Sequence, residues 1–564
     1  MAGGLLNLIA LGNQNIILNG NPTKSFFKTK YVKYTNFGMQ KFRIDQQGQT
    51  TLSLNTPSRY TFKMARYGDL LMDTYLVVTL PDIWSPVLKY SNPSTGQIEY
   101  RPYEFQWIKN IGTQMISEVD IYIGGRLIQK FSGAYIQDAM ERDFNTTKKA
   151  IFNEMTGNTT DLCDPANYSN RQGNYPNAFK LSDADVEPSI PARQLFIPIN
   201  MWFSTASTLA LPLICLQYAE LDIVFTLRPL NELFTIRDVL SSSSYDAIPR
   251  IHAPQSKNEA YGFHRFIQPP PLRDLLPGVP YTNTSFRLSP VADLHLITTQ
   301  CFLDTTERTL FASNNQSYLI KVVYEYDFKK VNKASKVKVE SNGLVSSWMW
   351  RMQRDDVATR NEWSNYTNWP YEDVLPYTMM KLTAADEPNV ELFYPYNDAY
   401  SAGRIPKNLY ITGNSPTVYQ QQTNKAIMQD FAIVCDGKYR ENVFSMGVYD
   451  VVEKYTRSQG NAKEGLYFYN FALTTDPTVY QPCGAFNTNK FKTIEFEYNN
   501  VANPPIDLSA VNFQVICDPV TNLPIGVTKE PTSIYSYNYN LHIYEERYNV
   551  LLFQSGVADL IYSR

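Results

Sequence analysis

Glu118-Val119-Asp120-Ile121-Tyr122-Ile123-Gly124-Gly125-Arg126-Leu127-Ile128-Gln129-Lys130-Phe131 reads as a β-hairpin from its residues alone. Val119, Ile121 and Ile123 alternate with Glu118, Asp120 and Tyr122, so one set faces a core and the other faces water. Gly124-Gly125 is a favoured two-residue turn, and the alternation resumes on its far side.

Working outward, the same period of two returns at Leu221, Ile223, Phe225 and Leu227. It returns again at Tyr318, Ile320, Val322, Tyr324, Tyr326 and Phe328, with Lys321, Glu325 and Asp327 between them. Ile494, Phe496 and Tyr498 alternate with glutamates, and Tyr535, Tyr537, Tyr539, Leu541 and Ile543 close the series. With 40 Tyr and 30 Phe but only 19% charged residues, the composition favours half-buried strands over solvated helices. Helical spacing is confined to Ala134–Asp143, Thr147–Met155 and Tyr439–Thr456.

A chain of 564 residues is long enough for two cores. Between Arg237 and Ser289 the pattern breaks into Ser241–Ser244, Gln268-Pro269-Pro270-Pro271 and Pro277-Gly278, the composition of a connection. The expected organisation is an N-terminal arm over 1–24, a first β unit over 25–236, a connection over 237–289 and a second β unit over 290–564. Many short strands separated by turns suit sandwiches or jelly rolls. Two long polar stretches, Thr156–Pro191 and Ala384–Thr423, are expected to crowd one face if both units point the same way.

Several function classes find no support. A net charge of −3 supplies no excess of cations for phosphate neutralisation, so direct nucleic-acid binding is not expected. The start, Met1 to Gly12, is apolar but lacks a basic region before it; Ala2 rules out simple N-myristoylation, and no run of 18 apolar residues occurs. An arm that docks on a neighbouring subunit is the preferred use for it, beside a strand packed on its own domain. Cys163, Cys215, Cys301, Cys435, Cys483 and Cys517 are widely spaced with no CxxC pair, which favours a reducing compartment. The Cys-Asp-Pro and Cys-Asp-Gly contexts mark turns more directly than metal sites.

His252, His264, His295 and His542 fall in no catalytic motif, so structural or surface roles are expected and no catalytic residue is assigned. Asp183, Asp185 and Glu187 begin like a calcium loop, but Pro188 stands where the sharp turn needs glycine; no metal or cofactor is assigned. Six Asn-x-Ser/Thr sequons occur, at Asn145, Asn158, Asn167, Asn283, Asn315 and Asn365, of which Asn158 and Asn167 lie in the first polar stretch and are the candidate glycosylation sites. Trp348, Trp350, Trp363 and Trp369 suit core packing or subunit contact, or else a sugar-stacking platform.

Asn21-Pro-Thr-Lys-Ser-Phe-Phe-Lys-Thr-Lys-Tyr-Val-Lys-Tyr-Thr-Asn-Phe-Gly38 resembles the opening strand of major capsid proteins of nucleocytoplasmic large DNA viruses. Trp107–Gly112, the Ile121–Ile128 hairpin and Leu209–Tyr218 are similar to the same family, as are Phe302–Arg308, Gln316–Ile320, Leu466–Ala472 with Gln481-Pro482, Glu546–Leu551 and Ser555-Gly556. These matches are ordered and span nearly the whole chain. The resemblance implies an all-β fold of two tandem eight-stranded jelly rolls, a double jelly roll with short helices and long loops. It also implies a non-enzymatic homotrimer with a pseudo-hexagonal outline, tiling an icosahedral capsid beside neighbouring capsomers, minor capsid proteins and penton proteins. An internal membrane beneath the shell and assembly in the host cytoplasm follow from the same likeness. A carbohydrate-binding jelly roll and a β-sandwich hydrolase are the competing classes.

Overall fold

The computed structural model describes residues 3–562 apart from the positions 11, 30, 49–50, 86, 97, 172–173 and 480 and the segments 92–95, 177–186, 238–261, 268–292, 370–378, 381–409, 412–424, 502–512, 518–523 and 530–536. Sixteen strands build two successive sandwiches. In the first they are β1 (Phe37–Asp45), β2 (Ser58–Lys63), β3 (Leu70–Leu80), β4 (Ile116–Ile123), β5 (Arg126–Phe131), β6 (Arg193–Pro198), β7 (Leu221–Leu227) and β8 (Leu294–Leu303). In the second they are β9 (Gln316–Val331), β10 (Ser335–Lys338), β11 (Leu344–Arg354), β12 (Met428–Cys435), β13 (Lys438–Ser445), β14 (Leu466–Asn470), β15 (Ile494–Asn500) and β16 (Tyr539–Gln554).

The pairing is the same in both. One sheet runs β1-β8-β3 with β6 on β3, and its counterpart runs β9-β16-β11-β14. The facing sheets run β2-β7-β4-β5 and β10-β15-β12-β13. Every one of these ladders is antiparallel. The last strand of each unit thus inserts between its first and third, which is the jelly-roll order, and the fold is a double jelly roll.

Two expectations change here. Leu294–Leu303, on the far side of the expected boundary at 290, pairs Phe37↔Leu303 through Asp45↔His295 with β1 and also with β3, so it completes the first roll. The segment 237–289 is therefore an insertion between β7 and β8, and the rolls are joined instead through α3 (Thr305–Ser313). The Ser241–Ser244, Gln268–Pro271 and Pro277-Gly278 runs lie outside the described residues. Its described part is anchored on roll 1: Phe266 is fully buried against the Phe105 ring at 5.2 Å, and its carbonyl accepts from Trp84 N–H at 2.6 Å.

The helix expected over Tyr439–Thr456 is half strand. Asp436 and Gly437 take positive φ (47° and 76°), reversing the chain so that Lys438–Ser445 pairs with β12; helical turns begin only at Met446. The other two helices form as α1 (Gly133–Asp143) and α2 (Thr146–Thr156). Ser132 caps the first by accepting from Tyr135 N–H, and Asn145 caps the second by accepting from Lys148 N–H.

Strand alternation places the core. Burial along β15 runs buried then half-exposed without a break over Ile494, Phe496, Tyr498 and Asn500. In roll 2, Trp350 is wholly buried and stacks on Phe431 at 4.2 Å, with Tyr449 and Phe496 closing the cluster. Removing a large buried aromatic leaves a cavity as well as losing its transfer free energy. Trp350→Ala is expected to cost about 3–5 kcal/mol, read as a lower urea midpoint; a loss under about 1 kcal/mol would show that the cluster collapses around the gap.

Candidate functional site

In both rolls successive strands reverse, so the connections alternate between two ends. One end of roll 1 holds the long insertions 81–115, 132–192 and 228–293, and the same end of roll 2 holds 355–427, 446–465 and 501–538. The opposite end holds the tight turns 64–69, 124–125 and 436–437 and two intermediate connections, 199–220 and 471–493. Contacts between rolls match end to end. At the insertion end, Asn361 Nδ2 donates to the Asn231 and Phe234 carbonyls at 2.9 Å each, and Trp363 Nε1 donates to the Glu232 carbonyl at 3.0 Å. At the turn end, Arg126 pairs with Asp559 and Tyr218 N–H donates to the Gly556 carbonyl. The rolls therefore point the same way, as the reading of Thr156–Pro191 and Ala384–Thr423 required, although most of the second stretch lies outside the described residues.

Between the rolls lies a buried ionic joint. Helix α1 lies against β9, β11 and β16, and its residues pair with theirs in turn. Arg142, 2% exposed, makes two 2.8 Å bonds to Asp143 beside it and reaches across to Glu546 at 2.7 Å. Ser347 Oγ and Tyr135 OH donate to the same carboxylate. Asp138 is fully buried; it accepts from Tyr366 OH at 2.6 Å and pairs with Arg351 Nε at 3.0 Å. Gly460 seals the joint from the roll 2 side, since its N–H donates to the Arg142 carbonyl and a Cβ there would stand 2.4 Å from that oxygen.

The charges feel this burial. Burial opposes ionisation of Glu546, but Arg142, Lys321 and Ser347 more than offset it and hold the carboxyl at about 2. Glu325 on β9 lacks a close cation, and burial pushes its carboxyl up to about 7 although Ser132 N–H donates to it at 2.7 Å.

The residues singled out from sequence do not converge. His264, His295 and His542 sit in separate places, the last bonded to Asp327, while His252 lies outside the described residues. Asp183 and Asp185 also lie outside them, and Glu187 is exposed. Cys163, Cys215, Cys301, Cys435 and Cys483 are free, and burial pushes the Cys163 and Cys215 thiols up to about 11. Two of the three Cys-Asp contexts lie at turns: Asp436 accepts from the Lys492 and Thr493 N–H groups, and Asp164 accepts from Asn167, while Asp518 lies outside the described residues. No group of three metal-ligating residues forms among the described residues, and no described helix is long and apolar enough to cross a membrane.

Of the tryptophans, Trp348 and Trp350 are wholly buried, Trp348 Nε1 donating to Glu545 at 2.6 Å, and Trp363 lies under Arg228 in the contact between rolls. They form no sugar platform. Asn158 is half-buried with its amide engaged on both sides by Asn110 and Asn153, whereas Asn167 is exposed. The joint itself escaped sequence reading; its only signal was charge at Asp138, Glu141, Arg142 and Asp143 on a helix expected to be amphipathic.

Residues 25–262 match the family model of the major capsid protein N-terminus. The major capsid protein of Chrysochromulina ericina virus is 30% identical over 374 residues, 63% of this chain and 58% of that one. That of Phaeocystis pouchetii virus is 24% identical over the full length of both chains. The chain is similar to the major capsid proteins of large DNA viruses, in its N-terminal part to the family model and over its full length to the latter relative. The Faustovirus major capsid protein structure shares the fold, with a TM-score of 0.59 at 12% identity over 94% of this chain and 93% of that one. The matched relatives are, by name, structural proteins of virion shells.

The joint carries a pH dependence whose sign follows from Glu325. A carboxyl raised from 4.5 to about 7 on folding holds its proton longer when folded, so its contribution is full below 4.5 and is lost as pH rises through about 7. Between pH 5 and 8 the stability of the chain is expected to fall by roughly 2 kcal/mol, after discounting for partial exposure. Glu325→Gln should flatten that slope in urea titrations; an unchanged slope would assign it to another group.

Proposed function

We propose that three copies of this chain close into a capsomer with pseudo-hexagonal outline, the tile of an icosahedral shell. The observation that carries this reading is the parallel setting of two rolls of the same topology, fixed by the joint. Three such chains around an axis present six similar sandwiches, and a near-hexagonal ring packs a plane without gaps. The clustering of long insertions at one end of both rolls supports an outward-facing surface there, where added loop length costs little folding free energy. Asn167 has the exposure that a glycan on that surface needs.

The turn end faces inward in this arrangement. It carries the start of β1, α3 and the N-terminal arm, whose Ile17 and Leu18 are 84% and 85% exposed, as are Phe26 and Phe27 just after it at 88% and 100%. Strand β1 is a sheet edge with most of its residues exposed, an arrangement that isolated proteins usually avoid. The arm and this edge dock on a neighbouring subunit; the other partners are neighbouring capsomers, minor capsid proteins and penton proteins, with the underlying internal membrane engaged only indirectly. Assembly takes place in the host cytoplasm, with no direct contact to nucleic acid.

Light scattering of purified protein should give about 194 kDa, three copies of 64.7 kDa. A folded monomer at high concentration would contradict the capsomer. Deleting residues 1–24, in which no described residue is buried, should leave the melting temperature unchanged while reducing assembly beyond the trimer; an equal loss of subunit stability would show that the arm packs on its own roll.

A further inference from the structure

Beside the ionic joint the two rolls do not close completely. A cavity of about 170 Å³ lies between α1 and the 200–209 segment of roll 1 on one side, and β9 and the 475–479 segment of roll 2 on the other. Met140, Trp202, Leu209 and Leu319 give it an apolar wall. Its lining holds three cations, Arg142, Lys148 and Lys321, against two carboxylates, Asp143 and Glu546.

Arg142 already bonds both carboxylates. The two lysines rest on aromatic rings, Lys148 at 4.1 Å from the centroid of Phe144 and Lys321 at 5.8 Å from that of Tyr548, and neither has an ion-pair partner within 4 Å among the described residues. The lining therefore carries one more cation than carboxylates, with Lys148 exposed and Lys321 half-exposed beside the apolar wall. An apolar cavity of about 150 Å³ accommodates benzene, which sets the scale of the body that fits.

We propose that this cavity binds a small amphipathic carboxylate, a ring or short chain of about six carbons whose body lies against Trp202, Leu209 and Leu319 and whose carboxylate meets Lys148 and Lys321. A ligand seated there touches both rolls, so it braces the joint and raises the stability of the subunit by binding only the closed arrangement. The site is independent of how many copies assemble.

Benzoate, its neutral analogue benzamide, and acetate are the probes, titrated into the full-length protein with calorimetry and thermal unfolding as readouts. Benzoate is expected to bind saturably and raise the melting temperature, benzamide to bind roughly tenfold more weakly for want of the charge-assisted bonds, and acetate not to bind. Lys148 is exposed at the start of α2, so Lys148→Ala should leave the fold intact while weakening benzoate roughly tenfold and leaving benzamide unchanged. Ala139 lines the cavity, and Ala139→Leu should raise the ligand-free melting temperature while abolishing benzoate binding. Equal affinities for benzoate and benzamide, an unaltered benzoate affinity in Lys148→Ala, or a melting shift that never saturates would each overturn the proposal.

Discussion

A guanidinium taken out of water must find carboxylates, and Arg142 finds one in its own helix and one in the other roll. Burying such a charge unpaired costs several kcal/mol, so the rolls cannot part without exposing Glu546 and stranding Arg142. The pair formed by Asp138 and Arg351 repeats the device in the opposite sense, with the carboxylate supplied by roll 1 and the guanidinium by roll 2. Two reciprocal pairs fix both the distance and the rotation of the rolls, which an apolar contact alone would leave free to slide. Gly460 adds a steric condition, because only a residue without Cβ lets the roll 2 backbone reach the end of α1.

The parallel setting has a geometric consequence. Antiparallel ladders force the connections of each roll to alternate between two ends, so once the rolls share a direction the longest insertions emerge together. The opposite end keeps the tight turns, the intermediate connections 199–220 and 471–493, the arm and an uncovered sheet edge. A molecule with one elaborated end and one plain, sticky end suits a shell, which needs different surfaces outside and inside. The aromatic residues serve that rigidity: Trp348, Trp350, Phe431 and Phe496 lie in the sandwich interior, where they make the roll stiff enough to tile.

The two ionised or ionisable carboxyls of the joint pull in different directions. Glu546 has a guanidinium bonded to it and stays charged well into acid, while Glu325, which burial dominates and which Arg351 offsets only in small part, holds a proton near neutrality. The same burial produces both results; what differs is whether a guanidinium was placed within reach.

Much of the architecture is legible without coordinates. Period-two alternation over 118–131, 221–227, 318–328 and 494–498 identifies strands because side chains on a strand point to opposite faces whatever lies around them. The Gly124-Gly125 turn is equally local, and the Asp436-Gly437 turn carried the same signal, outweighed in the reading of Tyr439–Thr456 by apolar spacing that a strand and a helix can share. The joint, the cavity beside it and the membership of Leu294–Leu303 in roll 1 were decided by tertiary structure alone. They depend on which residues meet across separations of up to 411 positions, as Tyr135 and Glu546 do, and no local preference of the chain encodes such a meeting.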